Sequence, residues 1–230
     1  MDRILEPEIM DGEAEAAAYA RADFSDSNGA YVRQLLERYP RHLREVLDLG
    51  CGPADIPIRL ARRVREVHVT AVDGSAAMLE QAAMALASAR LADRVKLCRG
   101  RIPGLPLPAR SFDAVISKDM LHHLPDPQVL WQEALRLGKP GAAVYVMDLV
   151  RPDSPLEARE IVERVAGGEH PLLKEDFYNS LCAAFTPSEV QAQLHAAGLS
   201  LDVVRASDRH LAVHGLLPPH AQAAGEPAKA

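Results

Sequence analysis

The stretch VLDLGCGPADIP, residues 46–57, places a carboxylate beside a glycine-rich loop. Asp48 stands two residues before Gly50, and Gly52 follows after Cys51. Glycine loops after strands usually hold phosphate, because their backbone N–H groups approach the anion closely. The carboxylate of Asp48 would repel a phosphate and attract a cation, by about 1 to 4 kcal/mol at effective dielectric constants of 80 to 20. The loop is therefore predicted to bind a cationic ligand.

Two nucleotide-type ligands compete for such a loop. A nicotinamide or flavin dinucleotide brings a pyrophosphate and prefers a third glycine where this chain has Asp55. S-adenosylmethionine has no phosphate and carries a sulfonium and an ammonium group. Asp73 ends the apolar run VHVTAVD, 21 residues after Gly52, where a carboxylate can accept hydrogen bonds from ribose hydroxyls. Asp48 and Asp73 together favour S-adenosylmethionine.

A second group of polar residues lies in SKDMLHHL, residues 117–124, and at Asp148. Adjacent residues on a helix point about 100° apart, so His122 and His123 are not expected to face one ligand together. They lack partners at metal-ligand spacing, and a buried structural histidine is the alternative for each. Asp119 and Asp148 follow strand ends, where side chains reach a ligand crevice or cap a loop.

Alternating strands and helices must position these residues. Apolar runs predict five strands, at EVLDLG, VHVTAVD, RVKLCRG, SFDAVISK and GAAVYVMDLV. Helices are predicted between them at DIPIRLARRV, SAAMLEQAAMALASAR (N-cap Ser75) and PQVLWQEALRL, with two more in residues 11–39 broken at DFSDSNG. Residues 154–197 predict a helical segment with breaks at GGEHP and FTP, and LSLDVVRA and RHLAVHG predict an antiparallel pair. The pattern predicts an α/β, doubly wound, mostly parallel sheet with helices on both faces.

Composition narrows the class of protein. The 230 residues, 48% hydrophobic and 25% charged, fit one domain, and the net charge of −6 argues against a nucleic-acid partner. The three cysteines are widely spaced, and no apolar run reaches the ~20 residues of a membrane span. We predict a cytoplasmic protein with one domain over residues 1–217, comprising an N-terminal helical lid (1–40) and a helical insertion (150–197). Residues 218–230 are predicted to be a disordered tail.

Four motifs, in order, resemble the class I S-adenosylmethionine-dependent methyltransferases that act on small molecules. They are VLDLGCGPAD, VTAVDGSAAML, GRIPGLPLPARSFDAVISKDMLHHLPDP and LRLGKPGAAVYVMD, and they span about residues 45 to 147. The resemblance implies a Rossmann-like, seven-stranded sheet closed by a C-terminal antiparallel hairpin. It also implies S-adenosyl-L-methionine as cofactor and methylation of a small-molecule acceptor. Ala54 stands where the family often has a third glycine, and Arg101 where it often has an acidic or small residue.

The resemblance also assigns residues to the site. Cofactor contacts are implied for Asp48, Gly50, Cys51, Gly52, Asp73, Gly74, Met78, Arg101, Ile102, Ser117 and Lys118. The stretch AYARADFSDSNGAY predicts a lid in which Tyr19, Asp23 and Tyr31 close over the cofactor. On the acceptor side, His122, His123 and Tyr178 are the predicted catalytic residues, and Asp119, Asp148 and Asn179 the predicted substrate contacts, with no metal.

The sequence leaves several alternatives open. The enzyme could instead transform S-adenosylmethionine itself, or the chain could be a cofactor-binding, non-catalytic regulatory subunit. The expected partner is a small molecule, with neither nucleic acid nor membrane, and the chain is a monomer or homodimer. An oxygen, nitrogen, sulfur or carbon nucleophile would each fit.

Overall fold

A computed structural model describes residues 1–6 and 12–219. Its seven-stranded sheet has the order β3-β2-β1-β4-β5-β7-β6. The strands are β1 Glu45–Leu49, β2 His68–Asp73, β3 Val95–Arg99, β4 Phe112–Lys118, β5 Gly138–Leu149, β6 Asp202–Arg205 and β7 His210–Leu216. The helices are α1 Glu13–Arg21, α2 Ser25–Arg38, α3 Asp55–Arg63, α4 Ala76–Ala89, α5 Gln128–Leu137, α6 Pro155–Ala166, α7 Pro171–Ala183 and α8 Pro187–Ala196, with a 3-10 turn at Leu121–His123.

The predicted fold class is confirmed. Strands β1 to β5 pair in parallel, whereas β7 pairs antiparallel with both β5 and β6. The strand order reverses between β1 and β4, which is where a sheet of this kind has its ligand crevice, at the carboxyl ends of the strands. That crevice receives the glycine loop after β1 and the histidine turn after β4.

Both faces of the sheet are buried, which explains why the central strands are apolar without alternation. Val46 of β1 packs with α2, α3 and α4 on one face, whereas Leu47 packs with α5 and α8 on the other. Because side chains alternate along a strand, Asp48 points to the same face as Val46. The strand thus buries a carboxylate within an apolar layer.

Local signals fix most element boundaries. Ser75 caps α4, as predicted, by accepting a hydrogen bond from the Met78 N–H at 3.1 Å. The break predicted at DFSDSNG is shorter than expected, because α2 begins at Ser25 and includes Asn28. The Asn28 amide donates to Asp55 at 2.8 Å, which ties α2 to the start of α3.

Residues 1–6, which we call the N-terminal strap, are not helical. The Ile4 N–H donates to the Cys182 carbonyl at 3.0 Å, and the α-ammonium of Met1 donates to the Asp153 carbonyl at 2.9 Å. The Arg3 guanidinium donates to the carbonyls of Ala183 and of the histidine turn, and it lies 3.9 Å from the Phe185 ring centroid. The strap therefore joins α7 to the turn after β4.

Two predictions concern the chain as a whole. Across residues 1–6 and 12–219, no helix has the length and apolar character needed to cross a membrane. The tail predicted at 218–230 lies, from residue 220 onward, outside the described residues.

Tyr31 lies in the core, which differs from its predicted place in the lid. Its fully buried hydroxyl donates to the Ser117 carbonyl at 3.2 Å and to the Tyr145 carbonyl at 2.9 Å. Tyr31→Phe should therefore lower the free energy of unfolding in urea by about 1 to 3 kcal/mol, because buried polar groups lose partners. The affinity for S-adenosylhomocysteine should not change. Weaker cofactor binding at unchanged stability would instead assign Tyr31 to the lid.

Candidate active site

The loop after β1 requires glycine at position 50. Gly50 has φ +76°, and a Cβ there would lie 2.5 Å from Cγ of Met120. The N–H groups of Gly50 and Cys51 both donate to the Val72 carbonyl at 2.9 Å, which holds the loop against the end of β2. The loop is thus wedged between β2 and the segment that carries the two histidines.

Ala54 adopts the left-handed conformation, with φ 65°, at the start of α3. For a non-glycine residue this conformation costs about 1 to 2 kcal/mol. Ala54, in place of the family's frequent third glycine, therefore adopts a conformation that suits glycine, at this cost in stability.

Asp73 organises the cofactor side through both oxygens of its carboxylate. Oδ2 accepts from the Gly52 N–H and Oδ1 accepts from the Ser75 N–H, each at 2.8 Å. Burial raises the pKa of Asp73 above its ordinary value, against the opposing effect of these hydrogen bonds. Asp73 joins the β1 loop to the start of α4, and carboxylate oxygens can accept further hydrogen bonds from a ribose.

Asp48 is buried, and its Oδ2 has no hydrogen-bond partner among the described residues. Burial, together with the nearby charge of Asp73, raises the pKa of Asp48 to about 8. A buried, unpaired carboxylate is costly unless a positive charge compensates it. Asp48 and the glycine loop therefore fit a cofactor that combines cationic groups with an adenosine, and they disfavour a pyrophosphate.

The ends of β4 and β5 meet through His122 and Asp148, both almost fully buried. Nδ1 of His122 lies 2.6 Å from Oδ1 of Asp148, and the Leu121 N–H donates to Oδ2 of Asp148 at 2.7 Å. Burial acts to lower the pKa of His122, but the charge and hydrogen bond of Asp148, together with the charges of Glu6 and Asp119, outweigh it and the net pKa is raised. With Nδ1 bonded to the carboxylate, Nε2 is the ring nitrogen available to a ligand.

His123 is paired with the N-terminal strap. Its Nδ1 forms an ion pair with Oε2 of Glu6, and Oε1 of Glu6 accepts from the Ser180 hydroxyl at 2.5 Å. The rings of His122 and His123 lie with centroids 4.1 Å apart. We call Glu6, His122, His123 and Asp148 the histidine–carboxylate cluster. On an α-helix the two adjacent histidines would point apart. In this 3-10 turn their rings lie beside each other instead.

Sequence reasoning assigned neither Glu6 nor Ser180 to the site. Glu6 offers no periodic or motif signal and reaches the histidines only through the fold. Ser180 follows two residues that the sequence did single out, Tyr178 and Asn179. Residues two apart on a helix point about 200° apart, so Ser180 and Tyr178 lie on opposite sides of α7.

Tyr178 accordingly lies away from the cluster. The Arg159 guanidinium stands 4.6 Å from its ring centroid, in a groove between α6 and α7. Asn179 is half-buried beside Ser180. The structure therefore brings His122, His123 and Asp148 together and does not bring Tyr178 to them.

Ser117, Lys118 and Asp119 are engaged within the protein. The Ser117 hydroxyl donates to the Leu49 carbonyl at 2.7 Å, which joins the ends of β4 and β1. Lys118 forms an ion pair with Asp119, and Nε2 of His210 lies 3.6 Å from Oδ1 of Asp119. Burial alone would raise the pKa of Asp119, but the charges and hydrogen bonds of Lys118 and His210 together outweigh it and the net pKa is lowered. These side chains shape the crevice floor.

Tyr19 of α1 is half-buried and packs with Met78 of α4. Burial raises the pKa of Tyr19, and the charges of Asp119 and Asp73 act in the same direction. Asp119 follows β4 and Asp73 ends β2, so Tyr19 stands near the crevice, and its place in a lid stays a prediction.

The remaining predicted cofactor residues border the end of β2. The Arg101 side chain is exposed and passes close to Gly74, where a Cβ would lie 3.3 Å from Cγ of Arg101. Ile102 is half-buried and packs on the apolar layer of α5. Cys51 is buried, and burial raises the pKa of its thiol. Its small side chain suits the tight loop.

The sequence is similar to those of known proteins. The family described as "Methyltransferase domain" matches residues 46–141. The ubiquinone biosynthesis O-methyltransferase of Xylella fastidiosa is 30% identical over 184 residues, which cover 77% of this chain and 69% of that enzyme. The demethylmenaquinone methyltransferase of Lactiplantibacillus plantarum is 38% identical over 112 residues, 48% of this chain and 47% of that enzyme. The match thus spans about half the length of the latter relative.

A solved structure shares the fold. The crystal structure of a SAM-dependent methyltransferase from Aquifex aeolicus has a TM-score of 0.69 at 18% identity, covering 90% of this chain and 98% of that one. The chain belongs to the class I S-adenosylmethionine-dependent methyltransferases, and S-adenosylmethionine is its cofactor. Among the predicted site residues, those of the β1 loop and the end of β2 lie at the carboxyl ends of these strands, and their contacts with the cofactor stay a prediction.

Two matched substitutions test the glycine loop. Both Gly50→Ala and Gly52→Ala place alanine at a positive φ, but only the first meets a side chain, since nothing lies within 4 Å of a Cβ at position 52. Overlap with Met120 should make Gly50→Ala less stable than Gly52→Ala by about 1 to 3 kcal/mol in urea unfolding. Equal losses would show that Met120 yields without cost.

Asp48 should make stability depend on pH. Its carboxyl has an ordinary pKa of 3.8 and a folded pKa of about 8, so the folded state retains a proton that the unfolded chain releases between these values. The free energy of unfolding should therefore fall as pH rises from about 4 to about 8. Asp48→Asn should remove this slope and raise the midpoint of thermal unfolding at pH 8. Asp93→Asn, at an exposed position, is the control and should leave the slope unchanged.

Proposed function

We propose that this protein catalyses methyl transfer from S-adenosylmethionine to a small-molecule acceptor. The observation that carries the proposal is the contact between two chemically different sites. Met120, which touches the Gly50 backbone position, is followed directly by the turn that holds His122 and His123. A cation-binding loop and a polar, proton-accepting cluster therefore adjoin at the switch point of the sheet.

The reaction makes modest demands on the protein. The bound cofactor supplies a methyl group on a positively charged sulfur, and a neutral thioether leaves. Alignment of the acceptor and exclusion of water provide most of the rate enhancement in such a displacement. The N-terminal strap and α7 serve both needs, because they meet at Glu6 and Ser180 over the histidine turn.

We assign the histidine–carboxylate cluster to the acceptor. It holds the acceptor's polar group and takes its proton where the nucleophile arrives protonated. Asp148 fixes the ring orientation of His122, as a carboxylate does for a catalytic histidine. Asp119 and Asn179 border this side, and Tyr19 covers the cofactor side. Tyr178 has no role in this proposal.

We infer that the acceptor is a hydroxylated small molecule. Two relatives are named for ubiquinone biosynthesis and for demethylmenaquinone, and the first is named an O-methyltransferase. The net charge of −6 favours a small molecule over a nucleic acid. A non-catalytic regulatory role is disfavoured by the buried pair of His122 and Asp148, since a carboxylate that orients a histidine is an arrangement that serves chemistry.

Methyl transfer should be measured with radiolabelled S-adenosylmethionine and a panel of phenols and hydroquinones. We expect S-adenosylhomocysteine to bind in calorimetry, NAD not to bind, and at least one acceptor to be labelled. Cofactor binding without transfer to any acceptor class would favour the regulatory alternative. Binding of NAD in place of S-adenosylhomocysteine would overturn the proposal.

Asp148→Asn should lower kcat by at least about tenfold while the affinity for S-adenosylhomocysteine is retained, because the imidazole of His122 loses its orienting carboxylate. Asp202→Asn, on the exposed face of β6, is the matched control and should retain full activity. A parallel loss of cofactor affinity in Asp148→Asn would mean that Asp148 supports the fold of the crevice and not the acceptor.

A further inference from the structure

We propose that Glu6, His122 and His123 form a binding site for a divalent transition-metal ion. One ligand atom from each residue, two ring nitrogens and a carboxylate oxygen, lie within 4.8 Å of one another. Two ligands of one zinc ion, each about 2.0 to 2.2 Å from it, stand at most about 4.4 Å apart. Shifts of about 1 Å, which also open the direct ion pair between Glu6 and His123, bring the three atoms to the spacing of about 3.4 Å that a tetrahedral ion requires.

The groups behind these ligands support the assignment. Ligating histidines almost always hold their second ring nitrogen against a carboxylate or carbonyl, which fixes the tautomer. Asp148 does this for His122, at 2.6 Å from Nδ1. The Ser180 hydroxyl donates to Oε1 of Glu6 at 2.5 Å and orients that carboxylate in the same way. Outer partners of this kind distinguish a built site from a chance grouping.

Charge is compatible with an ion as well as with the two imidazole–carboxylate pairs. Glu6 and Asp148 bring two negative charges to a region in which Asp148 is almost fully buried. A doubly charged cation balances both carboxylates while each imidazole stays neutral, which is the form that binds metal. The Arg3 guanidinium is directed to backbone carbonyls, so it does not occupy the ligand atoms.

The donor set selects the class of metal. Two histidines and one glutamate bind Zn²⁺ in catalytic sites that keep an open position, and the same donors hold Fe²⁺. Mg²⁺ and Ca²⁺ prefer oxygen ligands and should bind weakly. An ion that keeps an open position would bind the acceptor's oxygen there. This last step rests on the proposed function, whereas the metal site itself does not.

The strap makes ion binding conditional on its own position. Glu6 is the only one of the three ligands that lies outside the histidine turn, and it reaches the turn because Arg3 and Ile4 anchor the strap to α7 and the turn. An ion that binds only the docked strap stabilises it by mass action. Metal addition should therefore protect residues 1–6 from hydrogen exchange as well as raise the midpoint of thermal unfolding.

The test uses the full chain, freed of metal by a chelator and without cofactor or acceptor. Calorimetric titration with Zn²⁺ should show one tightly bound ion per chain, and Co²⁺ should give a visible absorption typical of mixed nitrogen and oxygen ligands. Glu6→Gln and His123→Ala should each weaken Zn²⁺ binding at least tenfold. His195→Ala, at an exposed position on α8, is the control and should bind as the natural chain does.

Further variants keep the test decisive. Ser180→Ala, which removes only an outer partner, should weaken binding about 10- to 100-fold. Glu6→Gln has nearly the shape of the natural residue, and retained binding of S-adenosylhomocysteine shows that each variant is folded. Unchanged Zn²⁺ affinity in folded Glu6→Gln and His123→Ala, or equal affinity for Mg²⁺, would overturn the metal site. Because cofactor binding is measured separately, that result would leave the proposed methyl transfer standing.

Discussion

The approach of Met120 to the Gly50 backbone is the constraint on which the two halves of the site depend. It is possible because residue 50 has no Cβ and takes a positive φ. As a result the segment after β4 can cross the loop after β1 instead of diverging from it. Asp148 then fixes that segment by accepting from the Leu121 N–H and pairing with His122. Because residue 50 is glycine, the loop that we assign to the cofactor and the turn that carries the histidines can pack together.

Carboxylates at the same edge of the sheet have three different environments, and these environments differentiate their chemistry. Asp119 is paired with a lysine and Asp148 with a histidine, so their charges are compensated within the protein. Asp48 has no such partner, and its pKa rises to about 8. An unpaired buried acid lowers the stability of the free protein, and binding sites commonly retain such strain. We propose that the cationic groups of the cofactor compensate the carboxylate of Asp48.

The sequence predicts those features whose signals lie in neighbouring residues, and it does not predict contacts between distant parts of the chain. The sheet, its hairpin and the Ser75 cap come from local patterns, and the glycine loop from a contiguous motif. The contact between Glu6 and His123 joins distant parts of the chain through an irregular segment, which no periodicity reports. The choice between Tyr178 and Ser180 depends on the rotation of α7, which has polar residues on more than one side. The pairing of the histidines depends on a 3-10 turn where α-helical spacing was assumed.

The site residues that the sequence did not predict lie outside the segment of the chain that matches the family. The family match covers residues 46–141, which contain the glycine loop, Asp73 and both histidines. Glu6 and Ser180 lie outside it, one before and one after, and they meet each other over the histidine turn. The matched part thus holds the residues that we assign to the cofactor together with the two acceptor-side histidines, whereas the unmatched parts supply Glu6, Asp148 and Ser180 to the side that we assign to the acceptor. Similarity within the matched part therefore constrains the acceptor weakly, and the acceptor must be sought from the chemistry of the strap, the turn and α7.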